Sequence, residues 1–466
     1  MDIQFDYKSY LFLNVTGRND WSSTLPKANR SFFYPGISSA FVFTELINNE
    51  SLKNIISYGK LRAAYGKVGN DADPYSLDAT YLVNPTFGNN ASNIVFPFLG
   101  VSAGTVGNVL TDPNLTPEFT TEYELGAEVR FLGDRIGIDF TYYNKMSENQ
   151  IAAISIPSST GFVSKLTNFG KLSNKGIEIG LDLNPIRNLG GFSWNLYGTF
   201  ARNRNRVEEL TAGLNEISII PGFGDPAVVL RPGRPYGIMV GTAAAKDDQG
   251  NVLINQQTGL MIRVPLQEIG DPNPDFTSSL TNTFKFKGIG LSAQLDYRQG
   301  GDLYSATVAQ YFGRGVTKDT EDRLTPKIIK GFYGNTTTFK PLLDASGNKI
   351  PNSVQTTAND IYFNGNGSLT GVSEMMIYDA TVFRVREVAL SYDIPKKWLG
   401  RTPLGSLNLS VTGRNLYFNA PNFPKASNFD PETSTYGAGA TRNVQGIEYT
   451  NAPTTKRFGF NLRATF

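Results

Sequence analysis

The 466 residues contain no cysteine and no histidine. Without cysteine there is neither a disulfide framework nor a thiolate metal site, and without histidine the usual general base and the commonest metal ligand are missing. Catalytic triads built on either residue are excluded, and no cofactor or metal is implied. A surplus of one charge is also lacking: 43 Lys plus Arg stand against 41 Asp plus Glu, so nothing draws in a nucleic acid. No apolar run approaches the roughly 20 residues that a spanning helix needs, so any membrane crossing must be made by strands. A mean hydropathy of -0.24 does not oppose this, because strands that are polar at every second residue average to the hydropathy of a soluble protein.

What is present favours strands and turns. Aromatic residues make up 12%, with 22 Tyr and 31 Phe, charged residues only 18%, and glycine numbers 47. This length fills roughly two or three soluble domains, yet single β-barrels also reach it. The chain stops on residues 457–466, where Phe458, Phe460, Leu462, Ala464 and Phe466 alternate with Arg457, Gly459, Asn461, Arg463 and Thr465. A terminal aromatic on such a strand is a barrel-closing pattern whose apolar face meets outer-membrane lipid.

The same alternation recurs along nearly the whole chain, and thirteen strand candidates can be counted. In one, Tyr123, Leu125, Ala127, Val129 and Phe131 share a face opposite Glu122, Glu124, Gly126, Glu128 and Arg130. Three carboxylates on one face need water. After a tight turn at Gly133 and Asp134, Ile136, Ile138, Phe140 and Tyr142 repeat the pattern, which predicts a hairpin. Near Phe383 the phase slips, since Phe383 and Val385 are out of step with Val388, Leu390 and Tyr392; a β-bulge near Arg386 and Glu387 restores the register. The fold expected is all-β, an antiparallel transmembrane barrel.

Connections alternate in length. Short ones fall near Lys8 and Ser9, at 45–58, at Gly133, at 185–191, at Gly288 and at 395–405, whereas 70–117, 150–172, 208–274, 301–378 and 419–455 are long and rich in Gly, Asn, Pro and Ser. Barrels of the outer membrane have short periplasmic turns and longer extracellular loops, which sends the long set outward and leaves Phe466 at the periplasmic end. Thirteen is odd, and single-chain bacterial barrels close with an even count, so a closing partner is expected elsewhere. Residues 1–7 are already strand, without the basic start and apolar stretch of a signal peptide, so the expectation is that residues 1–466 are the C-terminal portion of a longer chain.

Candidate lumen residues are Glu122, Glu124, Glu128, Arg130, Asp139, Glu178, Asp182, Asp296 and Arg298; the ordinary reading of each is a solvated side chain paired across the ladder, and no catalytic residue is assigned. Loop aromatics are the better ligand-binding candidates, because flat rings stack on sugars or pack against peptide side chains: Phe223, Tyr236, Tyr304, Tyr311, Phe312, Tyr333, Tyr362, Phe363 and Tyr436. Their alternative is a ring that packs its own loop or joins an interfacial girdle. The oxygen-rich run from Lys246 through Asp247, Asp248, Gln249 and Gly250 to Asn251 lacks the spacing and closing Glu of an EF-hand and reads as a hairpin turn on Gly250. Gly437 to Gly439 has neither the Lys nor the following helix of a phosphate-binding loop.

Several segments, taken together, resemble the SusC/RagA group of TonB-dependent outer-membrane transporters: "LFLNVTGRNDWSS" from Leu11, "LRAAYGKVGN" from Leu61, "PNLTPEFTTEYELGAEVRFLGDRIGIDFTYYNK" from Pro113, "NKGIEIGLDLNP" from Asn174, "GDPNPDFTSSLTNTFKFKGIGLSAQLDYRQG" from Gly270, "FRVREVALSYDIP" from Phe383 and "LSVTGRNLYF" from Leu409. The resemblance implies the last thirteen strands of a barrel of about 22, a class with a plugged lumen. It implies an outer-membrane importer of oligosaccharides or peptides in Bacteroidetes-type Gram-negative bacteria. Its implied partners are a SusD-like surface lipoprotein and, through an N-terminal plug and TonB-contacting segment with no counterpart in these residues, the TonB complex. A passive barrel or adhesive surface β protein is the competing expectation.

Overall fold

The computed structural model describes residues 1–77, 81–83, 86–89, 92–211, 213–219, 224–363, 371–400, 402–432, 444–449 and 452–466. The alternating segments pair in chain order into one meandering antiparallel wall. Its strands are β1 (Asp2–Tyr7), β2 (Leu11–Trp21), β3 (Ser31–Phe41), β4 (Ile56–Asn70), β5 (Glu118–Phe131), β6 (Ile136–Ser155), β7 (Ser164–Leu189), β8 (Phe192–Glu209), β9 (Phe276–Phe286), β10 (Ile289–Gln299), β11 (Val382–Asp393), β12 (Ser406–Asn419) and β13 (Arg457–Thr465). These are the thirteen expected. Each pairs with its sequence neighbours, and the short strand Val109–Leu110 adds a parallel contact to the outer end of β7. Among the described residues β1 and β13 each have one neighbour, so this wall has two free edges.

Register follows from the pleat, because side chains alternate across a strand and any single-residue slip would invert the two faces. Tyr65 on β4, Tyr123 on β5, Asn144 on β6 and Lys175 on β7 lie opposite one another in turn, on one face. On that face, aromatic pairs reinforce the ladder: Tyr65 with Tyr123 at 5.0 Å, Trp194 with Phe284 at 5.9 Å and Phe200 with Phe276 at 5.2 Å. Each such pair contributes about 0.5–1.5 kcal/mol beyond the area it buries. On the edge strand β13, Phe458, Phe460 and Leu462 are exposed, and so are Arg457, Gly459, Asn461 and Arg463 on its other face. The bulge expected near Arg386 is present: the register shifts between Val385 and Glu387 against β12, and between Gln294 and Leu295 against β10.

Turns gather at one end. The β5–β6 turn carries Leu132, Gly133 and Asp134 at positive φ, and the β9–β10 turn carries Lys287 and Gly288 the same way. At the other end, one expected loop is corrected: most of 150–172 is wall, since β6 runs out to Ser155 and β7 begins at Ser164, extending the hairpin well past its neighbours. The polar run Ser147 to Gln150 and the apolar run Ile151 to Ile154 each break the alternation, which hid the pairing. The remaining long connections fold on themselves and on each other. Ile217–Ser218, Ala227–Leu230, Ile238–Ala244 and Arg263–Gly270 form a four-stranded sheet. Asp302–Ser305 pairs with Ile377–Asp379 and, in parallel, with Ile447–Glu448, so the connections after β10 and β12 are stitched together. Val228, Met239, Tyr304, Val308, Phe312, Met376 and Ile447 share one buried cluster drawn from all three connections. This roof holds most of the apolar core, because the wall exposes its apolar face outward.

Glu448 shows how tightly the roof is joined. Its carboxylate is almost fully buried at the start of the helix Ala306–Arg314, accepting hydrogen bonds from Ser305 Oγ at 2.7 Å and from the Thr307 backbone N–H at 3.2 Å. Ser305 in turn caps that helix by accepting from the Val308 N–H. A carboxylate beside a helix N-terminus meets unpaired N–H groups and the positive end of the dipole.

Candidate functional site in the lumen beneath the loops

The polar face of the wall is the covered one. Loop residues Leu303, Ala380, Pro431, Glu432, Val444 and Gly446 stand over Thr199, Ser279, Asp296, Arg298, Arg384 and Arg386, and between them lies an open-sided cavity of about 590 Å³. A second cavity of about 440 Å³ lies beside it, lined by Asn174, Asn203, Asn205, Tyr236 and Asn273; Arg298 and Gln445 line both. A third, of about 650 Å³, opens on the same face toward the turns, among Glu128, Arg130, Asp139, Asp182, Asn195 and Lys285. The polar face thus holds recesses under the roof and near the turn end.

Charges in the upper cavity are arranged by the bulge. Arg386 is the extra residue, unpaired on both sides, and its insertion lets Glu387 return to the polar face that Arg384 occupies before it. Arg384 grips Asp430 through Nε at 2.9 Å and Nη2 at 2.6 Å, with their side chains 8% and 3% exposed. A buried pair with this two-pronged geometry holds loop to wall, and losing either partner strands a charge. Arg386 bridges Asp296 and Glu432, and Arg414 pairs with Glu387 at 2.7 Å. Arg298 differs. It donates to the carbonyls of Gly300 at 3.2 Å and Pro272 at 2.8 Å, and among the described residues no carboxylate hydrogen-bonds to it.

Lower on the wall, charges pair across the ladder. Arg62 holds Asp139 at 2.6 Å and lies 3.5 Å from Glu124, Lys60 holds Glu128 at 2.8 Å, Arg130 adds a second contact to Glu128 at 2.7 Å, and Lys145 stands 3.4 Å from Glu122. Asp182 accepts from Asn195 at 2.7 Å. Carboxylates neutralised this way line a hydrated wall.

The loop aromatics separate by depth. Tyr304, Phe312 and Tyr333 are buried within the roof, where Tyr333 Oη lies 3.0 Å from Ser353 Oγ and Phe312 packs edge-on against Tyr362 at 4.9 Å. Burial pushes the Tyr304 and Tyr362 phenols up. Tyr236 lines the 440 Å³ cavity, its N–H donating to Asn205 Oδ1 at 2.7 Å, and burial pushes its phenol up as well. Tyr311 and Phe363 are exposed on the roof. Phe223 and Tyr436, with Gly437 to Gly439, lie outside the described residues. The Asp247 turn is a hairpin with Gly250 at φ 82°, and Asp247 accepts from Lys349, Asn251 and Gln249. Its carboxyl is held well below the usual range by the Lys349 ammonium first, then by these N–H donors. Arg384, Arg386, Glu432, Asn203, Asn205 and Gln445 were missed as cavity residues; only the bulge pointed toward the first two.

Comparison with known proteins follows the same outline. Residues 2–416 match the family described as TonB dependent receptor-like, beta-barrel. TonB-dependent receptor P26 of Formosa agariphila is 26% identical over a 502-residue alignment covering 100% of this chain and 45% of that protein. TonB-dependent receptor SusC of Bacteroides thetaiotaomicron is 30% identical over 209 residues, 44% of this chain and 20% of SusC. The chain therefore spans less than half the length of the curated relatives it matches. Among solved structures, the RagAB peptide importer in its closed-closed state superposes with a TM-score of 0.71 at 18% identity, covering 99% of this chain and 47% of that one, a likeness of fold. No helix among the described residues is long and apolar enough to cross a membrane, whereas the wall exposes an apolar face along its strands. The chain belongs to the TonB-dependent receptor-like β-barrel family, whose strands cross the outer membrane.

Proposed function

We propose that these residues form the C-terminal wall and loop roof of an outer-membrane importer for oligosaccharides or peptides, energised through TonB. The observation that carries this reading is the pair of adjoining recesses between wall and roof, with Arg298 and Gln445 common to both. A ligand captured by the exposed rings Tyr311 and Phe363 would pass the asparagine-rich recess beside Tyr236. Amide side chains offer donors and acceptors in fixed positions, which suits sugar hydroxyls and peptide groups alike. In this reading the wall continues past the free edges of β1 and β13 to a closed barrel of about 22 strands, since an unpaired edge in lipid leaves backbone groups unsatisfied. The plug and the TonB-contacting segment are supplied outside these residues, and a SusD-like lipoprotein sits over the roof.

The test is binding by the full-length protein of fluorescent peptide and oligosaccharide libraries, comparing the parent with Tyr236→Ala and Asn205→Ala. Selective capture that weakens about ten-fold in both variants supports the reading. Equal capture by parent and variants removes these cavities from the ligand path.

A further inference from the structure

We infer that the outward face of β7 and β8 carries a binding site for the phosphorylated head group of an outer-leaflet lipid, formed by Lys175, Arg202 and Arg204. From the β7–β8 turn, the outward face of β8 runs Phe192, Trp194, Leu196, Gly198 and Phe200, then becomes cationic at Arg202 and Arg204. On β7 the same face runs Leu183, Leu181, Ile179 and Ile177, then becomes cationic at Lys175. The stretch from Phe192 to Phe200 spans about 26 Å of strand at roughly 3.3 Å per residue. With the usual strand tilt that is about 20 Å of height, close to the ~25 Å apolar band of such barrels. The cations therefore begin where hydrocarbon gives way to head groups, at the long-loop end.

Three relationships set this cluster apart. Lys175 stands directly opposite Arg204 on the ladder, and Arg202 follows two residues away on the same face. Like charges opposed in this way repel; the Asp275 carboxylate offsets only Arg204, and among the described residues the charges of Lys175 and Arg202 are left uncompensated. Arg204 turns part of its guanidinium to Asp275 at 2.7 Å and to the Pro274 carbonyl at 3.2 Å. Lys175 and Arg202 are exposed and have neither a carboxylate nor a hydrogen-bond partner among the described residues. The nearby Glu148 and Glu209 face Lys171, at 3.4 and 3.7 Å. Finally, the strands that follow place Phe276, Tyr297, Phe383 and Tyr417 toward this end of the same face, so aromatic side chains give way to cations in the β7–β8 sector. Guanidinium groups hold phosphate oxygens in pairs, and a lysine adds a point charge. A lipid whose head group carries phosphates not neutralised by a cation of its own fits, because the cations border the lipid-facing surface.

The experiment uses the full-length protein in a neutral detergent, with native mass spectrometry as readout. Lipid A, phosphatidylethanolamine and inorganic phosphate are added separately to the parent, to the Lys175→Gln/Arg202→Gln double variant, and to a Lys285→Gln control at the turn end of the polar face. Lipid A binding should drop about ten-fold or more in the double variant and stay unchanged in the control, with phosphatidylethanolamine unaffected throughout. Arg202→Lys alone should retain most of the binding, which separates loss of charge from loss of folding. Equal lipid A binding by the parent and the double variant overturns the site. Displacement of lipid A by millimolar inorganic phosphate overturns the assignment to lipid.

Discussion

Arg386 Nε lies 2.6 Å from Asp296 on the neighbouring strand, while its Nη1 and Nη2 hold Glu432 of the last long connection at 2.7 and 2.9 Å. One guanidinium thus joins wall to roof, and it sits at the bulge that breaks the β11 register. Replacing it with methionine leaves Asp296 without its cation, held only by the Gln294 amide at 3.0 Å, on a partly covered face. The expected cost is about 1–2 kcal/mol, the lower range for hydrogen bonds to charged groups because Glu432 is half exposed. Hydrogen exchange should show faster opening of 444–449 in Arg386→Met with the wall strands unchanged. Unchanged exchange there would mean that the roof does not depend on this contact.

Gly446 joins the roof by close approach. Its φ is 89°, its carbonyl accepts from the Tyr304 N–H at 2.8 Å, and a Cβ built on it would come within 2.7 Å of Pro272 and 3.3 Å of Met239 Sδ. Gly446→Ala combines a left-handed strain with a clash, costing about 1–3 kcal/mol. Limited proteolysis should cut the variant's last long connection sooner than the parent's.

Asp302 gives the roof a pH dependence with a definite sign. Burial raises its pKa, and the Asp271 and Asp379 carboxylates raise it further, against one hydrogen bond from the Asp271 N–H. Its folded pKa therefore lies above the unfolded value of about 3.9. The folded state binds the extra proton, so its contribution to stability is full below that unfolded value and is lost as pH rises through the folded pKa. Protection of the Asp302–Ser305 backbone, corrected for intrinsic exchange rates, should improve as pH falls from 7 toward 4, and Asp302→Asn should flatten that slope. A slope of opposite sign would contradict the assignment.

The two faces of β13 should respond differently to charge. Leu462→Arg puts a guanidinium on the exposed apolar face and should cost about 2–4 kcal/mol if that residue lies near the midplane, whereas Asn461→Arg on the polar face should cost much less. Urea titration of the full-length protein folded into lipid vesicles measures both. Equal tolerance would remove the lipid-facing assignment.

The wall was readable because period two leaves a mark wherever one face meets lipid and the other water, as at Tyr123 to Phe131, and the bulge was readable because Phe383 and Val388 cannot share a face without it. The β6–β7 extension was not, since Ser147 to Gln150 is polar on both faces. Nor was the roof: Glu448 meets Ser305 across 143 residues and Arg384 meets Asp430 across 46, contacts that no local pattern records. Buried Tyr304 and exposed Phe363 look alike in sequence because a loop ring has no period to say which way it turns.

Energised import is tested most directly in living cells. Accumulation of labelled oligosaccharides or peptides by cells making the full-length protein should stop when a protonophore collapses the proton-motive force or when TonB is deleted. Entry at the same rate under both treatments would contradict the account and mark the protein as a passive pore.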